Sequence, residues 1–329
     1  MNLLIGRRRI LAGLAIFVSV FILGIGVASA EKRSTAQQPS SSSWRAQVAG
    51  QPTDYVGQDV CAGCHEDKAK QVSTTVHAHT VLAGASYDTG CETCHGPGKA
   101  HADAMGEAIG NAAKVEAAKK LIYGFHGKGE ENSARCLACH EYGEEHSNFA
   151  RSQHNVNDVA CIDCHSAHHA KESQFLLVER QPVLCFSCHT EIKPEFSKPF
   201  HHRVNEGLVR CTDCHNQHGG FLTKQLRSTA SQDQVCFKCH VEKAGPFVFE
   251  HPPVKTEGCV ACHTPHGSSN PRLLRRSQVN LLCLECHTLT VDTSVPGLPS
   301  FHNQAAKYQA CTMCHTQIHG SNFSNIFFK

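Results

Sequence analysis

Every one of the twenty cysteines in this 329-residue chain belongs to a Cys-x-x-Cys-His motif. The ten cysteine pairs are Cys61 and Cys64, Cys91 and Cys94, Cys136 and Cys139, Cys161 and Cys164, Cys185 and Cys188, Cys211 and Cys214, Cys236 and Cys239, Cys259 and Cys262, Cys283 and Cys286, and Cys311 and Cys314. They are closed in turn by His65, His95, His140, His165, His189, His215, His240, His263, His287 and His315. This is the attachment signature of c-type haem. Two thiols add across the two haem vinyl groups, two intervening residues let them span the porphyrin edge, and the next residue, His, supplies the proximal nitrogen to the iron. A lone Cys-x-x-Cys would equally read as half a zinc site or a thioredoxin-like redox pair. Zinc ribbons do not require His after every second Cys, and disulfide frameworks do not repeat this close pairing ten times. No cysteine is left over for a disulfide or a catalytic thiol, so the pattern predicts ten covalently bound haem c groups.

Each iron held by its motif His has a sixth position to fill, and the chain carries 25 His, ten of them inside motifs. His168, His218 and His266 each follow a motif by x-x-His, and His319 follows its motif one residue later. His154, His202, His251 and His302 sit shortly before the second motif of a pair; the first pair has His77 or His79 ahead of Cys91, and His101 after it. Motif starts lie 30, 45, 25, 24, 26, 25, 23, 24 and 28 residues apart, a period near 25 with a finer one near 50. The repeat is therefore a two-haem unit, occurring five times, with two His inside its motifs and two outside. His79, His126, His146, His169 and His201 are then spare. The spacing leaves open the choice within His77/His79, His168/His169 and His201/His202, and which His serves which haem. Met cannot substitute: Met1 belongs to the leader, Met313 lies inside a motif, and only Met105 is free. Bis-histidine ligation at all ten irons is expected.

The elements that position these groups must be small. Roughly 30 residues per haem is far less than a chain needs to enclose each cofactor separately. Gly and Pro punctuate the intervals, and most are too short for full helices. The expected fold is a multihaem cytochrome c, mostly coil with short α-helices around a stacked chain of ten haems and essentially no β-sheet. The clearest longer helix runs from Asn111 to Ile122, with Asn111 as its cap. Haems packed this closely pass electrons by contact.

At the N-terminus, Arg7, Arg8 and Arg9 precede an apolar run from Ile10 to Val27 and a small-x-small site at Ala28-Ser29-Ala30. This predicts a cleavable signal peptide over 1–30, with an uncleaved anchor as the competing reading. The triple Arg fits twin-arginine export poorly, because c-type haem is attached outside the cytoplasm to a chain exported unfolded. Residues 31–56, with Pro39 and Ser40 to Ser43, read as a flexible leader. A formal charge of +2, mean hydropathy of −0.30 and 7% aromatics exclude a polytopic membrane protein and give no basic stripe for nucleic acid, so no nucleic-acid partner is expected. Removing residues 1–30 takes away three Arg, leaving 2 − 3 = −1, and twenty haem propionates would make the holoprotein clearly acidic.

The ten motifs, their spacing, and stretches such as Cys91-Glu92-Thr93-Cys94-His95-Gly96-Pro97, Cys211 to Gly219, Cys259 to Gly267 and Cys311 to Asn322 resemble the MtrA/DmsE family of periplasmic decahaem c-type cytochromes. The likeness runs from about Gly57 to the C-terminus. It implies two pentahaem halves, 57–194 and 195–329, with bis-His haems along an extended line. By this resemblance His77, His101, His154, His168, His202, His218, His251, His266, His302 and His319 match the distal-ligand positions. It further implies a protein of the periplasm, associated with the outer membrane, that conducts electrons within a β-barrel porin partner. The other expected partners are a periplasmic or inner-membrane quinol-linked cytochrome and an extracellular multihaem cytochrome or reductase. Two other classes compete. A soluble periplasmic multihaem carrier shares every haem feature and differs only in its partner. A multihaem reductase needs an iron with an open position, which ten His-terminated motifs and ample distal His oppose.

Overall fold

The computed structural model describes residues 51–81, 89–227, 233–287 and 310–328. The expected signal peptide over 1–30, the expected leader as far as residue 50, and His302 lie outside the described residues. Those described fall within one compact unit, Pro39–Lys329.

Coil and short helical turns make up nearly all of it. A Cys-x-x-Cys-His segment closes one helical turn: the histidine N–H donates to the first cysteine's carbonyl oxygen in His65, His165, His189, His215, His240, His263, His287 and His315, at 2.8–3.0 Å. Positions i, i+3 and i+4 share one helix face, so this turn brings both sulfurs and the imidazole to the same side. Cys91–His95, Cys161–Cys164 and Cys211–Cys214 are such turns; Cys259–Ala261 and Cys311–Met313 are their tighter 3-10 equivalents.

Longer helices cluster between residues 99 and 140, where the spacing between motifs is widest. Lys99–Glu107 packs on Ala112–Lys119. Ala-rich sequence favours the second of these, and the Asn111 side chain caps it by accepting from the Lys114 N–H. The helix stops at Lys119 rather than Ile122, because the chain must turn there to bring Tyr123 against the second motif: Tyr123 N–H donates to the His95 carbonyl at 3.1 Å. The longest described helix, Gly129–His140, carries the whole Cys136 motif and has no strong apolar stripe in sequence. Its buried face is Gly129, Asn132, Ser133 and Ala134, small and polar residues that pack without an oily partner.

Among the described residues, sheet is limited to two antiparallel ladders of two residues per strand. β1 (Phe200–His201) pairs with β3 (Gly267–Ser268), and β2 (Phe249–Glu250) pairs with β4 (Gly320–Ser321). The expectation of essentially no sheet is corrected to this small amount. Both ladders join the segment just before one distal-candidate His, His202 or His251, to the Gly-Ser just after another, His266 or His319.

Buried apolar side chains are sparse. Among the described residues ten hydrophobic residues are buried, and five of them are alanines: Ala78, Ala108, Ala118, Ala134 and Ala160. The largest side chains fully out of solvent are Glu92, Thr89, Ser133 and Ser152. Glu92 is held by three backbone donors, Val56 N–H at 3.1 Å, Gly57 N–H at 2.9 Å and Gly98 N–H at 2.7 Å, which replace the water its carboxylate gives up. No described helix is long and apolar enough to cross a membrane.

Candidate haem-binding site

The first cysteines of consecutive motifs meet in pairs. The thiols of Cys61 and Cys91, Cys136 and Cys161, Cys185 and Cys211, Cys236 and Cys259, and Cys283 and Cys311 lie close enough to perturb each other's ionisation. These are the five two-motif units of the sequence. Between units the second cysteines take over. Burial pushes the thiols of Cys94, Cys164, Cys214 and Cys262 up, and the neighbouring Cys139, Cys188, Cys239 and Cys286 add to the rise. The sulfurs thus form one unbroken succession through all ten motifs in chain order. In a haem-bearing protein these thiols stand for thioether sulfurs. The grouping of Asp233 with Cys236 and Cys259 has metal-ligand spacing, but both sulfurs are attachment atoms, and Asp233 is already engaged by the Cys259 N–H at 2.9 Å.

The histidines pair as regularly. Nine motif histidines each face one histidine from outside the motifs, with these ring-centre separations: His65 and His101 6.4 Å, His95 and His168 6.2 Å, His140 and His77 6.1 Å, His165 and His218 6.0 Å, His189 and His154 6.2 Å, His215 and His266 6.1 Å, His240 and His202 6.3 Å, His263 and His319 6.2 Å, His287 and His251 6.1 Å. An iron shared by two imidazoles, ~2 Å from each nitrogen with each ring centre roughly 1.1 Å further back, sets the centres about 6.2 Å apart. Interplanar angles run from 13° to 73°, as rings free to rotate about a common ligand axis would show. The residues present fit a bis-histidine haem. The tenth motif's His302 candidate lies outside the described residues.

The outer nitrogens explain why these rings offer Nε2. A carbonyl oxygen can only accept, so Nδ1 must donate where the two meet, and Nε2 keeps its lone pair. His95 donates to Tyr123 (2.7 Å), His101 to Ala118 (2.9 Å), His165 to Phe175 (2.6 Å), His215 to Lys224 (2.8 Å), His263 to Arg272 (2.8 Å) and His315 to Ile326 (2.6 Å). Three of these carbonyls sit in turns built from consecutive non-glycine residues at positive φ: Phe175 and Leu176, Lys224 and Gln225, Arg272 and Leu273. Such backbone costs about 1–3 kcal/mol per residue, and here it aims a carbonyl at a motif histidine three times over. Burial pushes His168, His218 and His319 down to about 4, so their rings are uncharged at neutral pH.

The pairs cross between units by a fixed rule. An even-numbered motif takes its partner from just after the motif two further on: His95 takes His168, His165 takes His218, His215 takes His266, and His263 takes His319. An odd-numbered motif from the third onward takes its partner from the preceding unit: His140 takes His77, His189 takes His154, His240 takes His202, and His287 takes His251. Neighbouring units are therefore tied by two reciprocal pairs, and among the nine described pairs only that of the first motif is local, with His101. Terminal units of a repeat array are commonly atypical in this way.

Three of the spare histidines are engaged elsewhere. His201 Nδ1 donates to the Lys198 carbonyl (2.5 Å) while its Nε2 meets Glu206 (3.1 Å). His169 Nδ1 lies 3.4 Å from Lys68 Nζ and from Gln71 Oε1. His146 packs against the rings of His218 (4.5 Å) and His140 (5.7 Å). The crossing rule, the strained carbonyl turns and a carboxylate on His266 were not read from sequence. The recurring Leu177, Leu226 and Leu274, each β-bridged to its motif histidine, His165, His215 or His263, is the signal that marks the turns.

Attachment cysteines in succession and histidines paired at ligand distance define a multihaem c-type cytochrome. The doubled CXXCH motif family matches residues 154–194, 201–245 and 251–291, and the cytochrome c554 and c-prime family matches 27–96 and 98–166. A multihaem cytochrome MtrA of Shewanella baltica is 33% identical over 81% of this chain and 79% of its own length. This chain belongs to the MtrA family of multihaem c-type cytochromes, proteins that carry electrons on covalently bound haem c. A high-molecular-weight cytochrome c of Nitratidesulfovibrio vulgaris is 25% identical over 79% of this chain but only 46% of its own length, and the cytochrome c-type protein NrfB of Escherichia coli is 28% identical over 33% of this chain and 66% of its own.

Proposed function

We propose that this protein binds ten haems, each iron held between a motif histidine and the outside histidine facing it, with His302 completing the tenth pair beside His315. We further propose that it carries electrons across an outer membrane inside a β-barrel porin. The observation that carries the reading is the unbroken succession of attachment sulfurs through all ten motifs, which leaves no gap in the line. Each haem supplies an iron that takes up or releases one electron with no bond made or broken. In this reading imidazole fills every sixth position, and the nine described pairs leave none of their irons open to a substrate.

Such a line can span a hydrocarbon layer of ~30 Å. Propionates and the charged side chains of this surface could not face lipid, so a protein wall must insulate the line. A barrel supplies that wall with its backbone hydrogen bonds closed. On the periplasmic side the donor or acceptor is a periplasmic or inner-membrane quinol-linked cytochrome; on the outer side it is an extracellular multihaem cytochrome or reductase. In this reading residues 1–30 export the chain to the periplasm, and 57–194 and 195–329 carry five haems each, with the boundary passing through the third unit. Tagged protein purified from solubilised outer membranes tests the assignment. A β-barrel should co-purify in fixed ratio; recovery of all the protein free in the periplasmic fraction would favour a soluble carrier instead.

A further inference from the structure

The paired histidines differ in what holds the outer nitrogen of the ring. Backbone carbonyls take it from His101, His154 and His202 among the outside partners. His266 instead donates to a carboxylate, Glu195 Oε2, at 2.9 Å. Another carboxylate near such a ring, Glu191, lies 3.5 Å from His189 Nδ1 with both side chains more than half exposed. The Glu195 contact is built into the fold. Glu195 opens the turn Glu195–Ser197, which is anchored by buried Phe196, and the Phe196 ring packs 5.2 Å from that of His266. Gly267, the next residue, lies so close that a Cβ there would sit 2.0 Å from the Glu195 carbonyl oxygen. Backbone and side chain of Glu195 together clasp the His266–Gly267 pair.

We propose that Glu195 is a potential-setting residue: it lowers the redox potential of the haem attached at Cys211 and Cys214 and held between His215 and His266. A carboxylate on Nδ1–H draws that proton toward itself, raises the electron density on the ring, and strengthens donation from Nε2. Stronger donation and nearby negative charge both favour the ferric state over the ferrous, and second-shell hydrogen bonding is one of the protein's levers on haem potential. The step Glu195 opposes is the arrival of one electron from a neighbouring ferrous haem, with the Nδ1 proton staying on His266 and no bond formed or broken. Because this haem belongs to the sixth of ten motifs, Glu195 places a low-potential member in the interior of the line. The assignment rests on the bis-histidine reading above.

Glu195→Gln keeps an acceptor oxygen for the Nδ1–H and removes the charge. The test is a redox titration of the purified holoprotein, followed by optical and electron paramagnetic resonance spectroscopy. In the variant, one component of ten should move to higher potential and one low-spin signal should shift, with the haem number by intact mass unchanged. Glu195→Asp, which keeps the charge on a shorter arm, should stay near the parent, and Glu191→Gln should leave the titration as it was. A Glu195→Gln titration superimposable on the parent overturns the proposal. So does a variant that loses a haem or turns high-spin while Glu195→Asp does the same, since that marks a purely structural role. Failure of the underlying ligand reading looks different: the parent itself would show high-spin iron or fewer haems.

Discussion

The Nδ1–H of His154 donates to the carbonyl oxygen of Gln217 at 2.9 Å, 63 residues further along the chain, and Gln217 immediately precedes His218. The same tie runs from His202 to Pro265 at 2.6 Å, just before His266, and His251 lies near the backbone of Ile318, just before His319. Each tie joins two rings that face different motifs: His154 faces His189, whereas His218 faces His165. The loop presenting one ring therefore orients the next, and the geometry of the facing rings is passed from unit to unit rather than set locally.

His168 and His169 separate a ligand from its neighbour. Replacing His168 with Ala removes the ring facing His95, and about one iron in ten should become high-spin in the oxidised protein. Replacing His169 with Ala removes contacts to Lys68, Gln71 and the flank of the His168 ring, 5.8 Å away, but no ring facing a motif histidine, and should leave every iron low-spin. Electron paramagnetic resonance on both variants reads the difference, and equal spectra would break the pairing.

Gly267 faces the Glu195 carbonyl with no room for a side chain. Gly267→Ala forces backbone apart at the β1–β3 ladder, where no rotamer change can relieve the clash. A cost of about 1–3 kcal/mol is expected, seen as a lower thermal midpoint. Because His266 is adjacent, the low-spin signal of one haem should weaken in step.

Glu92 ties the Val56–Gly57 segment to the second motif through three backbone N–H groups. Glu92→Gln removes the charge and turns an amide NH₂ toward donors, leaving at least one of them without an acceptor. Destabilisation of about 1–3 kcal/mol should follow, measured by thermal unfolding of the holoprotein. No change in midpoint would show that the buried carboxylate is dispensable.

The attachment sites are legible in the sequence because their chemistry is local: Cys61 to His65 is a single helical turn, and its residue types and spacing already specify it. The facing histidines are harder because their pairing is long-range. Two His outside the motifs per unit can be counted, but that His95 meets His168 and His140 meets His77 depends on how units interlock. His202 is separable from His201 only once both nitrogens of His201 are seen to be engaged. Helix Gly129–His140 escaped notice because small and polar residues line its buried face, leaving little apolar periodicity to read. The end of the Asn111 helix was misplaced because a tertiary contact, Tyr123 with His95, ends it before its local propensity does. Glu195 lies far in sequence from the ring it touches and matches no motif.

Intact-mass measurement of native protein should show ten haems on a chain beginning at Glu31, as ten motifs and the Ala28-Ser29-Ala30 site require. Fewer haems, or a retained leader, would contradict the count or the export reading respectively.

Conduction across a membrane inside a barrel is the central claim, and liposomes loaded with a redox dye test it most directly. With an external donor, the dye should be reduced only when cytochrome and barrel are both in the membrane. Equal rates with the barrel alone, or no reduction with both present and bound, would contradict the account.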